Sequence, residues 1–323
     1  MLGSVRTLNE VYSSLATRRR YEVWFLRLGL ADGKGAWWFR YLLMNPARGG
    51  CPDHPLGKPV QVWATWFPPD GMPQSFIQGF SLNQLQLSAR GQSPLHFEVA
   101  DNGIDENACR GRLTVGGHNV SWDLRYRSTF RVTLSAKGWI GFSRTPHSDA
   151  MFSGRIELDG RQFTGEPLGF GLQGHNCGYR HRTFWTWTHA YLARHSGSPS
   201  TLEALVYDMP VGLVFRKAVL WHEGKPYTFL KLRPVREDRK NLQWSFAATG
   251  KGGSQLEAAI DGRGPAMHRL PYLRTDCAGS FEVVNNSLAS AVVRFQLPGQ
   301  QAERLETMGG AVLEMGGQGT SFE

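Results

Sequence analysis

The sequence has few cysteines, and it has no apolar run that could span a membrane as a helix. Its four cysteines, Cys51, Cys109, Cys177 and Cys277, lie far apart and form no C-x-x-C pair, which argues against a zinc site or a dithiol redox motif. They could pair into two disulfides, although a chain of this length does not need them. Apolar stretches fall short of the roughly 20 residues that a membrane span requires, and residues 1–17 lack the basic-then-apolar order of a secretion signal. We therefore expect a soluble cytoplasmic protein with no metal site.

The positive charge of the chain is not concentrated in a patch. A net charge of +9 permits contact with nucleic acid, an anionic membrane surface or an acidic ligand. The one compact basic run is Arg18-Arg19-Arg20, and a run this short is more typical of a solvated strand entry than of a nucleic-acid-binding stripe. We expect no nucleic-acid partner. Peripheral contact with a membrane stays open, and the sequence makes no prediction of the oligomeric state.

Stretches with the apolar spacing of an amphipathic helix are also missing, whereas short β-rich runs bounded by turn residues recur. The first series of predicted strands comprises Arg20–Leu30, Ala36–Asn45, Val60–Phe67, Asn119–Arg127, Gly138–Ser143, Gly154–Leu158, Arg161–Phe163 and Phe184–Leu192. The second series comprises Thr201–Tyr207, Val211–Trp221, Pro226–Leu232, Leu242–Ala248, Gln255–Ile260, Ser280–Val284 and Val292–Leu297. Such strands are typical of antiparallel sandwiches or barrels. Because 323 residues are long for one core, we predict an all-β protein with two domains packed together, residues 1–195 and 196–323, joined near His195–Ser200.

The aromatic strand at 184–192 follows a glycine-rich polar segment. Side chains alternate along a strand with a period of two, so Trp185, Trp187, His189 and Tyr191 are predicted to share one face. Three aromatic rings and an imidazole on one face are typical of an apolar cavity wall that carries a few polar groups. They are equally typical of a core strand that follows a capped turn, and the pattern alone leaves both interpretations open.

The polar segment Gly171–Arg182 is predicted to be a turn that brings polar side chains to this strand, with His181 and Arg182 facing solvent. Within it, His175 is the better functional candidate, since an imidazole can donate or accept a proton near neutral pH. For Asn176 a turn-stabilising role competes with ligand binding, because asparagine favours left-handed and Asx turns.

Glu22 shares a predicted strand face with Trp24 and Leu26, so burial of that face requires a partner for its carboxylate. One interpretation is a structural ion pair with Arg40, which lies on the neighbouring strand of the same hairpin. The other is a carboxylic acid with a raised pKa that points into a pocket.

Several segments carry the motifs of a known family, in order and over nearly the whole chain. They are Tyr21–Arg27 (YEVWFLR) followed by Ala36–Tyr41 (AWWFRY), Gln173–Gly178 (QGHNCG) with Trp185 and Trp187, and Asp276-Cys277 with Ser280–Leu288 (SFEVVNNSL). These motifs resemble those of the AttH-like and carotenoid 1,2-hydratase (hydroxyneurosporene synthase) proteins, whose wider relatives include tocopherol cyclase and fungal Diels–Alderases. The main departure is Cys177, where the family usually has tryptophan.

The resemblance implies two lipocalin-like β-barrels with a lipophilic pocket in or between them, and no metal or organic cofactor. Family members act on polyenes and isoprenoid-like molecules by hydration, cyclisation or cycloaddition. We therefore expect a cofactor-independent enzyme that acts on a lipophilic, unsaturated small molecule of polyene, isoprenoid or polyketide-like type. The alternative is a lipocalin-type protein that binds or carries a lipophile without chemistry.

The resemblance also implies an acidic residue near a tyrosine that protonates an alkene. Asp208 beside Tyr207 is the candidate for that position, although an aspartate at a strand end is also typical of a turn cap. The predicted catalytic residues are therefore His175, Asp208 and Glu22. The predicted ligand-binding residues are Asn176, Trp185, Trp187, His189, Tyr191, Tyr207 and Trp221.

Overall fold

The computed structural model describes residues 8–92, 94–135, 141–192, 199–209 and 212–319. Within these residues the regular structure is almost entirely β, apart from short 3-10 turns at Pro46–Arg48, Leu82–Gln84 and Lys251–Gly253. The all-β prediction is confirmed. In the described part of the chain, no helix has both the length and the apolar character to cross a membrane.

The first half of the chain forms one antiparallel sheet, sheet A. Its strands are β1 (Tyr21–Leu30), β2 (Ala36–Met44), β3 (Val60–Phe67), β4 (Gln74–Phe80), β5 (Leu85–Leu87), β6 (His96–Val99), β7 (Asn102–Asp105), β8 (Ala108–Val115), β9 (His118–Arg127), β10 (Val132–Ser135), β11 (Gly141–Leu158) and β12 (Arg161–Gly178). They run in the order β4-β3-β2-β1-β12-β11-β9-β8-β7-β6-β5, with β10 paired to β11. The sheet curls until β4 packs beside β8, which makes barrel A nearly closed.

The second half forms sheet B in the same manner. Its strands are β13 (Trp185–Leu192), β14 (Ser200–Asp208), β15 (Val214–His222), β16 (Lys225–Phe229), β17 (Leu232–Asp238), β18 (Gln243–Thr249), β19 (Gln255–Asp261), β20 (His268–Leu273), β21 (Ser280–Gln296) and β22 (Glu303–Gly316). Their order is β16-β15-β14-β13-β22-β21-β19-β18-β17, with β20 paired to β21. The molecule therefore contains two lipocalin-like antiparallel barrels packed together, as predicted.

Strand alternation divides the apolar side chains between the barrel interiors and the interface. On β1, Trp24, Leu26 and Leu28 belong to the core of barrel A, whereas Val23 and Phe25 belong to a cluster that also contains residues of sheet B. The strand is buried on both faces because one face lines the barrel and the other packs on the second barrel.

The polar segment predicted as a turn is instead the end of a long strand. His175 and Asn176 lie in β12, paired with Trp24 and Val23 of β1. The glycines allow close approach of the strands rather than a turn, since a side chain at Gly171 would collide with the carbonyl of Arg27. The prediction that residues 171–178 form a turn is therefore wrong.

The aromatic strand β13 belongs to sheet B, where it pairs with β14 and β22. Its assignment to the first series of strands is therefore wrong, because the chain passes from sheet A to sheet B between Gly178 and Trp185. The junction predicted between residues 195 and 196 falls between β13 and β14, and residues 193–198 lie outside the described residues.

A buried arginine joins the two barrels. Arg27 of β1 is fully buried, and its guanidinium donates hydrogen bonds to four carbonyl oxygens of sheet B, those of Ser287, Gly309, Gly310 and Ala311, at 2.6 to 3.3 Å. Burial lowers its pKa to about 10, because the charged form has lost water. The carbonyl dipoles replace that water, so the contact holds the barrels in one orientation.

A disulfide also links the two halves of the chain. Cys51, in the loop after β2, is bonded to Cys277, in the loop before β21, with Cα atoms 5.3 Å apart. Cys109 and Cys177 are free and buried. Disulfides persist mainly in oxidising compartments, so this bond does not favour the cytoplasmic location that was expected from the sequence.

Candidate functional site

A cavity of about 870 Å³, its open mouth included, lies between the two barrels. Its wall combines side chains from the outer faces of β1, β2 and β12 with side chains from β13, β14 and β22. The wall is mainly aromatic, with a few charged and polar groups, which is the usual composition of a small-molecule site.

On the sheet B side, three neighbouring strands place their side chains in register. Trp187 of β13 is paired with Leu205 of β14 and with Glu314 of β22. Trp185 and Tyr207 form the next pair towards the end of these strands. All five residues line the cavity, because each lies on the face of sheet B that looks towards sheet A.

On the sheet A side, the wall consists of Tyr21, Phe25 and Trp38 with the charged Arg40 among them. The ring centroids of Phe25 and Trp38 lie 5.8 and 6.0 Å from that of Trp187. Edge-to-face contacts of this kind hold the rings in place. The indoles therefore form a rigid aromatic wall on both sides of the cavity.

The one acidic side chain in the described wall of the cavity is Glu314. It is 8% exposed, and its carboxyl accepts hydrogen bonds from Trp185 Nε1 (3.0 Å), Asn285 Nδ2 (3.2 Å) and the Tyr272 hydroxyl (3.3 Å). Burial raises the pKa of Glu314, and this effect outweighs the opposing influence of Arg40 and of the hydrogen bonds. A carboxyl in such surroundings holds its proton more strongly than one in water.

Arg40 is the buried cation of the wall, with 6% of its surface exposed. Its guanidinium lies 4.2 Å from the ring centroid of Tyr272 and 4.5 Å from that of Trp63. Its Nη1 atom is buried and has no hydrogen-bond partner among the described residues. The aromatic contacts stabilise the cation, and they leave its hydrogen-bonding capacity unused.

Burial holds three further titratable groups of the wall, His181, Tyr21 and Cys177, in their neutral forms. Burial, helped by Arg40, lowers the pKa of His181 to about 3, and its ring is stacked on Tyr21 with centroids 4.1 Å apart. Burial raises the pKa of Tyr21 and of the Cys177 thiol to about 12. Cys177 is therefore a thiol rather than a nucleophilic thiolate. The expectation that His181 faces solvent is wrong, since it is only 7% exposed.

A second buried carboxyl, Glu203, lies behind the cavity wall. Its Oε1 atom accepts hydrogen bonds from the Thr145 hydroxyl at 2.6 Å and from Trp187 Nε1 at 3.2 Å. Burial raises the pKa of Glu203 to about 7. The indole of Trp187 separates this carboxyl from the cavity, so Glu203 orients the indole and does not line the wall.

The three predicted catalytic residues do not line the cavity. His175 and Glu22 lie on the other face of their strands, fully buried, and bind each other through Nε2 and Oε1 at 2.8 Å. His175 does not reach the cavity, because Trp24, on which it is stacked, belongs to the core of barrel A. Glu22 pairs with His175 and not with Arg40, which lies on the opposite face.

The His175–Glu22 pair binds the N-terminal segment that precedes β1. Glu22 accepts hydrogen bonds from the backbone N–H groups of Tyr12 (2.8 Å) and Ser13 (2.6 Å), and His175 Nδ1 donates to the carbonyl of Leu8 (2.8 Å). Burial by itself would raise the pKa of Glu22, but the hydrogen bonds from His175, Ser13 and Tyr12 lower it overall. Glu22 is thus an ionised carboxylate and not a proton donor.

Asp208 caps a turn. Its carboxylate accepts hydrogen bonds from the Thr183 hydroxyl (2.7 Å) and the backbone N–H of Phe184 (3.1 Å), and it does not line the cavity. The neighbouring Tyr207 does line it, with the guanidinium of Arg182 4.5 Å above its ring. The two residues diverge because successive side chains on a strand point to opposite faces.

The predicted face of β13 is confirmed, but the cavity extends along only part of it. Trp185 and Trp187 line the cavity. His189 donates from Nε2 to the carbonyl of Ser148 at 2.6 Å, with a pKa that burial lowers to about 3. Tyr191 is stacked on Phe170, with centroids 4.8 Å apart. These two side chains pack against sheet A where the barrels come together.

Of the other predicted ligand-binding residues, Asn176 lines the cavity and Trp221 does not. The Oδ1 atom of Asn176 is buried without a partner among the described residues. Trp221 is stacked on Phe130, with centroids 4.2 Å apart, and it therefore belongs to the interface between barrels.

Sequence reasoning missed Glu314, Tyr272 and Trp38 as cavity residues. A signal for Glu314 was present, since it is the single charged residue in the apolar run Ala311–Met315. A lone glutamate in a strand that reads as buried must have a special environment. The position of Tyr272 could not be found in this way, because it reaches the cavity from β20, which pairs only with β21.

One group of described side chains has the composition of a metal site, and it lies away from the cavity. The ligand atoms of His222, Glu223 and Glu303 lie within 4.8 Å of one another. His222 Nδ1 is hydrogen-bonded to the Ser200 hydroxyl at 2.9 Å. None of the three lines the cavity, so a metal bound there would not reach a ligand in it.

Comparisons with known proteins give matches among solved structures only. No family model and no curated protein matches the chain. The structure of CghA matches with a TM-score of 0.59 and 12% identity, over 94% of this chain and 90% of that chain. CghA with Sch210972 matches with a TM-score of 0.58 and 13% identity, over 93% and 89%.

Kievitone hydratase from Nectria haematococca matches with a TM-score of 0.54 and 10% identity, over 98% of this chain and 95% of that chain. Identities this low establish a common fold and leave the chemistry undetermined. Because each match spans both barrels, the whole architecture is shared. The chain therefore has the lipocalin-like two-barrel fold of these structures, the fold predicted by its resemblance to the AttH-like and carotenoid 1,2-hydratase proteins.

Proposed function

We propose that this protein is a cofactor-independent enzyme whose substrate, a lipophilic and unsaturated small molecule, binds in the cavity between the barrels. The observation that carries the proposal is the buried carboxyl of Glu314, with its raised pKa, in a wall of indole and phenol rings. A carboxyl whose pKa is raised above its ordinary value holds its proton to a higher pH and is suited to act as a general acid. Aromatic faces stabilise positive charge that develops when an alkene is protonated.

In this proposal Glu314 has one of two roles. For a hydration or a cation-initiated cyclisation, it gives its proton to an alkene carbon, and Trp185 and Trp187 face the resulting carbocation. Water, or a second double bond of the substrate, then adds to that cation, and the proton released in this step returns to the Glu314 carboxylate. For a cycloaddition, it donates a hydrogen bond to a carbonyl of the substrate, while the walls hold the reacting ends together. Kievitone hydratase is by name a hydratase, and CghA has been crystallised with Sch210972; both support small-molecule chemistry in this fold without selecting the reaction.

The test is the substitution Glu314→Gln, which keeps the shape of the side chain, replaces one acceptor oxygen by an NH2 donor and removes the acidic proton. Purified protein is incubated with a panel of polyenes, isoprenoids and linear polyketide-like polyenes. Products are detected by mass spectrometry as a gain of one water for hydration, or as an isomer of changed retention time for cyclisation. We expect the variant to lose about 100-fold or more in rate. Glu306→Gln is the matched control, because Glu306 is exposed on the same strand, β22.

The outcomes separate the proposed roles. Turnover that is unchanged in Glu314→Gln contradicts proton transfer from Glu314, and it leaves catalysis by shape or by a hydrogen bond, which the glutamine amide can also donate. Binding without turnover of any compound of the panel favours the second candidate function, a lipophile-binding protein. That candidate is supported by the weak basicity of His181, whose pKa is lowered to about 3, and by the thiol state of Cys177, because neither provides a strong base beside Glu314.

A further inference from the structure

We propose that Arg40 is the binding site for an anionic oxygen group of the ligand, such as a carboxylate or an enolate. This inference rests on the proposed function of the cavity and specifies its ligand as a lipophilic acid. The anionic end of the molecule lies at Arg40, and the unsaturated chain lies along the tryptophans.

The hydrogen-bonding capacity of the Arg40 guanidinium is unused. The side chain is 94% buried, since 6% is exposed, and Nη1 has no partner. Arg40 forms no hydrogen bond or ion pair with any other described residue; its contacts are the rings of Trp63 and Tyr272. A buried cation is costly unless an acceptor or counter-ion meets it. Arg27, the other arginine buried in the interface, meets four carbonyls, so the contrast is specific to Arg40.

Glu314 does not serve as the counter-ion of Arg40. Arg40 acts on it electrostatically, but the Glu314 oxygens are bonded to Trp185, Asn285 and Tyr272. Burial also raises the pKa of this carboxyl above its ordinary value, which weakens its tendency to act as a counter-ion. The guanidinium is therefore available for an acceptor supplied by a ligand.

The charged side chains of the cavity wall are mostly basic. Arg180 and Arg182 line the cavity together with Arg40, and the acidic side chains of the described wall amount to Glu314 alone. His181 is held neutral by burial and adds no charge to the wall. Clefts lined by charge of one sign concentrate ligands of the opposite sign. An anionic lipophile is thus favoured over a neutral or cationic one.

Arg40 lies at the border of the cavity. Arg40, His181 and Tyr272 line both the main cavity and a smaller adjoining pocket of about 260 Å³. Arg40 therefore presents its guanidinium where the main cavity meets the smaller pocket. Its planar set of N–H donors matches the two oxygens of a carboxylate or of a similar delocalised anion.

The experiment compares parinaric acid, a fluorescent conjugated polyene with a carboxylate, with its methyl ester, which has the same chain and no charge. We expect the wild-type protein to bind the acid about tenfold or more tightly than the ester, the range that hydrogen bonds to a charged group provide. In Arg40→Met the affinity for the acid should fall by about tenfold, which leaves only the small preference that Arg180 and Arg182 provide. Binding of the ester should change by less than about threefold. Methionine keeps an apolar chain against Trp63 and Tyr272.

Arg161→Met is the matched control, since Arg161 also lies over two rings, those of Trp66 and Phe163, but outside the cavity. We expect it to keep the preference for the acid. Arg40→Lys keeps the charge and should keep part of the preference, which provides a measurement if Arg40→Met is too unstable to purify. Thermal unfolding of each variant checks the fold.

Equal affinities of the wild-type protein for acid and ester would overturn the inference, as would a full preference in Arg40→Met. In either case, binding of the ester in the cavity would leave the proposed function intact. Failure of the wild-type protein to bind both compounds would contradict the inference and the proposed function together. Loss of the preference in the Arg161→Met control would show that the effect is not specific to Arg40.

Discussion

At the scale of single residues, two glutamates are buried in the interface between the barrels, each within a strand of otherwise mainly apolar sequence. Glu203 and Glu314 both lie on the face of sheet B that meets sheet A, and both have pKa values raised by burial. Glu314 lies in the cavity wall, whereas Glu203 holds Trp187 from behind. The difference follows from their positions along neighbouring strands, since the cavity spans only one end of the interface.

The raised pKa of Glu203 makes the stability of the fold depend on pH. The folded protein holds this proton up to a pKa of about 7, whereas the ordinary value is 4.5. Between these values the unfolded state loses its proton first, so stability falls as pH rises and is lowest above the folded pKa. We expect wild-type protein to lose about 3 kcal/mol across this window relative to Glu203→Gln. The measurement is urea unfolding of both proteins at a series of pH values, and parallel profiles would contradict the prediction.

At the scale of elements, the polar end of β12 fastens the N-terminal segment to barrel A. Gln173 exchanges hydrogen bonds of 3.1 Å with the Asn9 side chain, and His175 and Glu22 bind the backbone of the same segment. Val11 reaches the barrel core. His175 and Glu22, which were predicted from the sequence to be catalytic, therefore hold the N-terminal segment against barrel A.

Removal of the Glu22 charge should release this segment while leaving the cavity unchanged. In Glu22→Gln the ionised partner of His175 is lost and two backbone N–H groups lose a charged acceptor. We expect a loss of about 3 kcal/mol in the free energy of unfolding, and faster hydrogen exchange at Tyr12 and Ser13. Binding of parinaric acid should be unchanged. Glu257→Gln, at an exposed site, is the control; protected Tyr12 and Ser13 amides in Glu22→Gln would refute this role.

At the scale of the molecule, the cavity exists because two barrels are fixed in one orientation. Arg27 and the Cys51–Cys277 disulfide both bridge sheet A and sheet B or the loops beside them. An apolar cluster shared by the two sheets surrounds the cavity. A site whose wall comes from both barrels depends on all of these contacts, because a shift between barrels would separate Trp38 from Trp187.

Substitution of Arg27 should therefore weaken the whole fold. In Arg27→Met, four carbonyls, those of the buried Ser287 and Ala311 and of the partly buried Gly309 and Gly310, lose their donor at once, and methionine cannot replace it. We expect the free energy of unfolding to fall by about 3 kcal/mol, measured by urea unfolding with tryptophan fluorescence. Arg125→Met, at an exposed strand position, should change it by less than about 0.5 kcal/mol. A similarly small effect in Arg27→Met would contradict the proposed bridging role.

The sequence alone determined the β architecture and the faces of the strands. Alternation places Trp24, Leu26 and Leu28 together in barrel A, and it groups Trp185, Trp187, His189 and Tyr191 on one face of β13. These properties depend on neighbouring residues and on the fixed period of a strand, so local sequence contains them. The glycines of β12 were interpreted as turn residues, because a glycine that permits close approach of two strands cannot be distinguished in sequence from a glycine in a turn.

Only the tertiary structure decided where the site lies. The carboxyl in the cavity is Glu314, near the end of the chain, and its neighbours Arg40 and Trp38 come from the first hairpin. His175 and Glu22 were selected in the sequence for their chemistry, yet they bind each other inside barrel A. Which face of a doubly buried strand meets a cavity depends on how the second barrel docks. That docking is set by contacts between residues hundreds of positions apart, such as Arg27 and Ala311, and no local pattern records it.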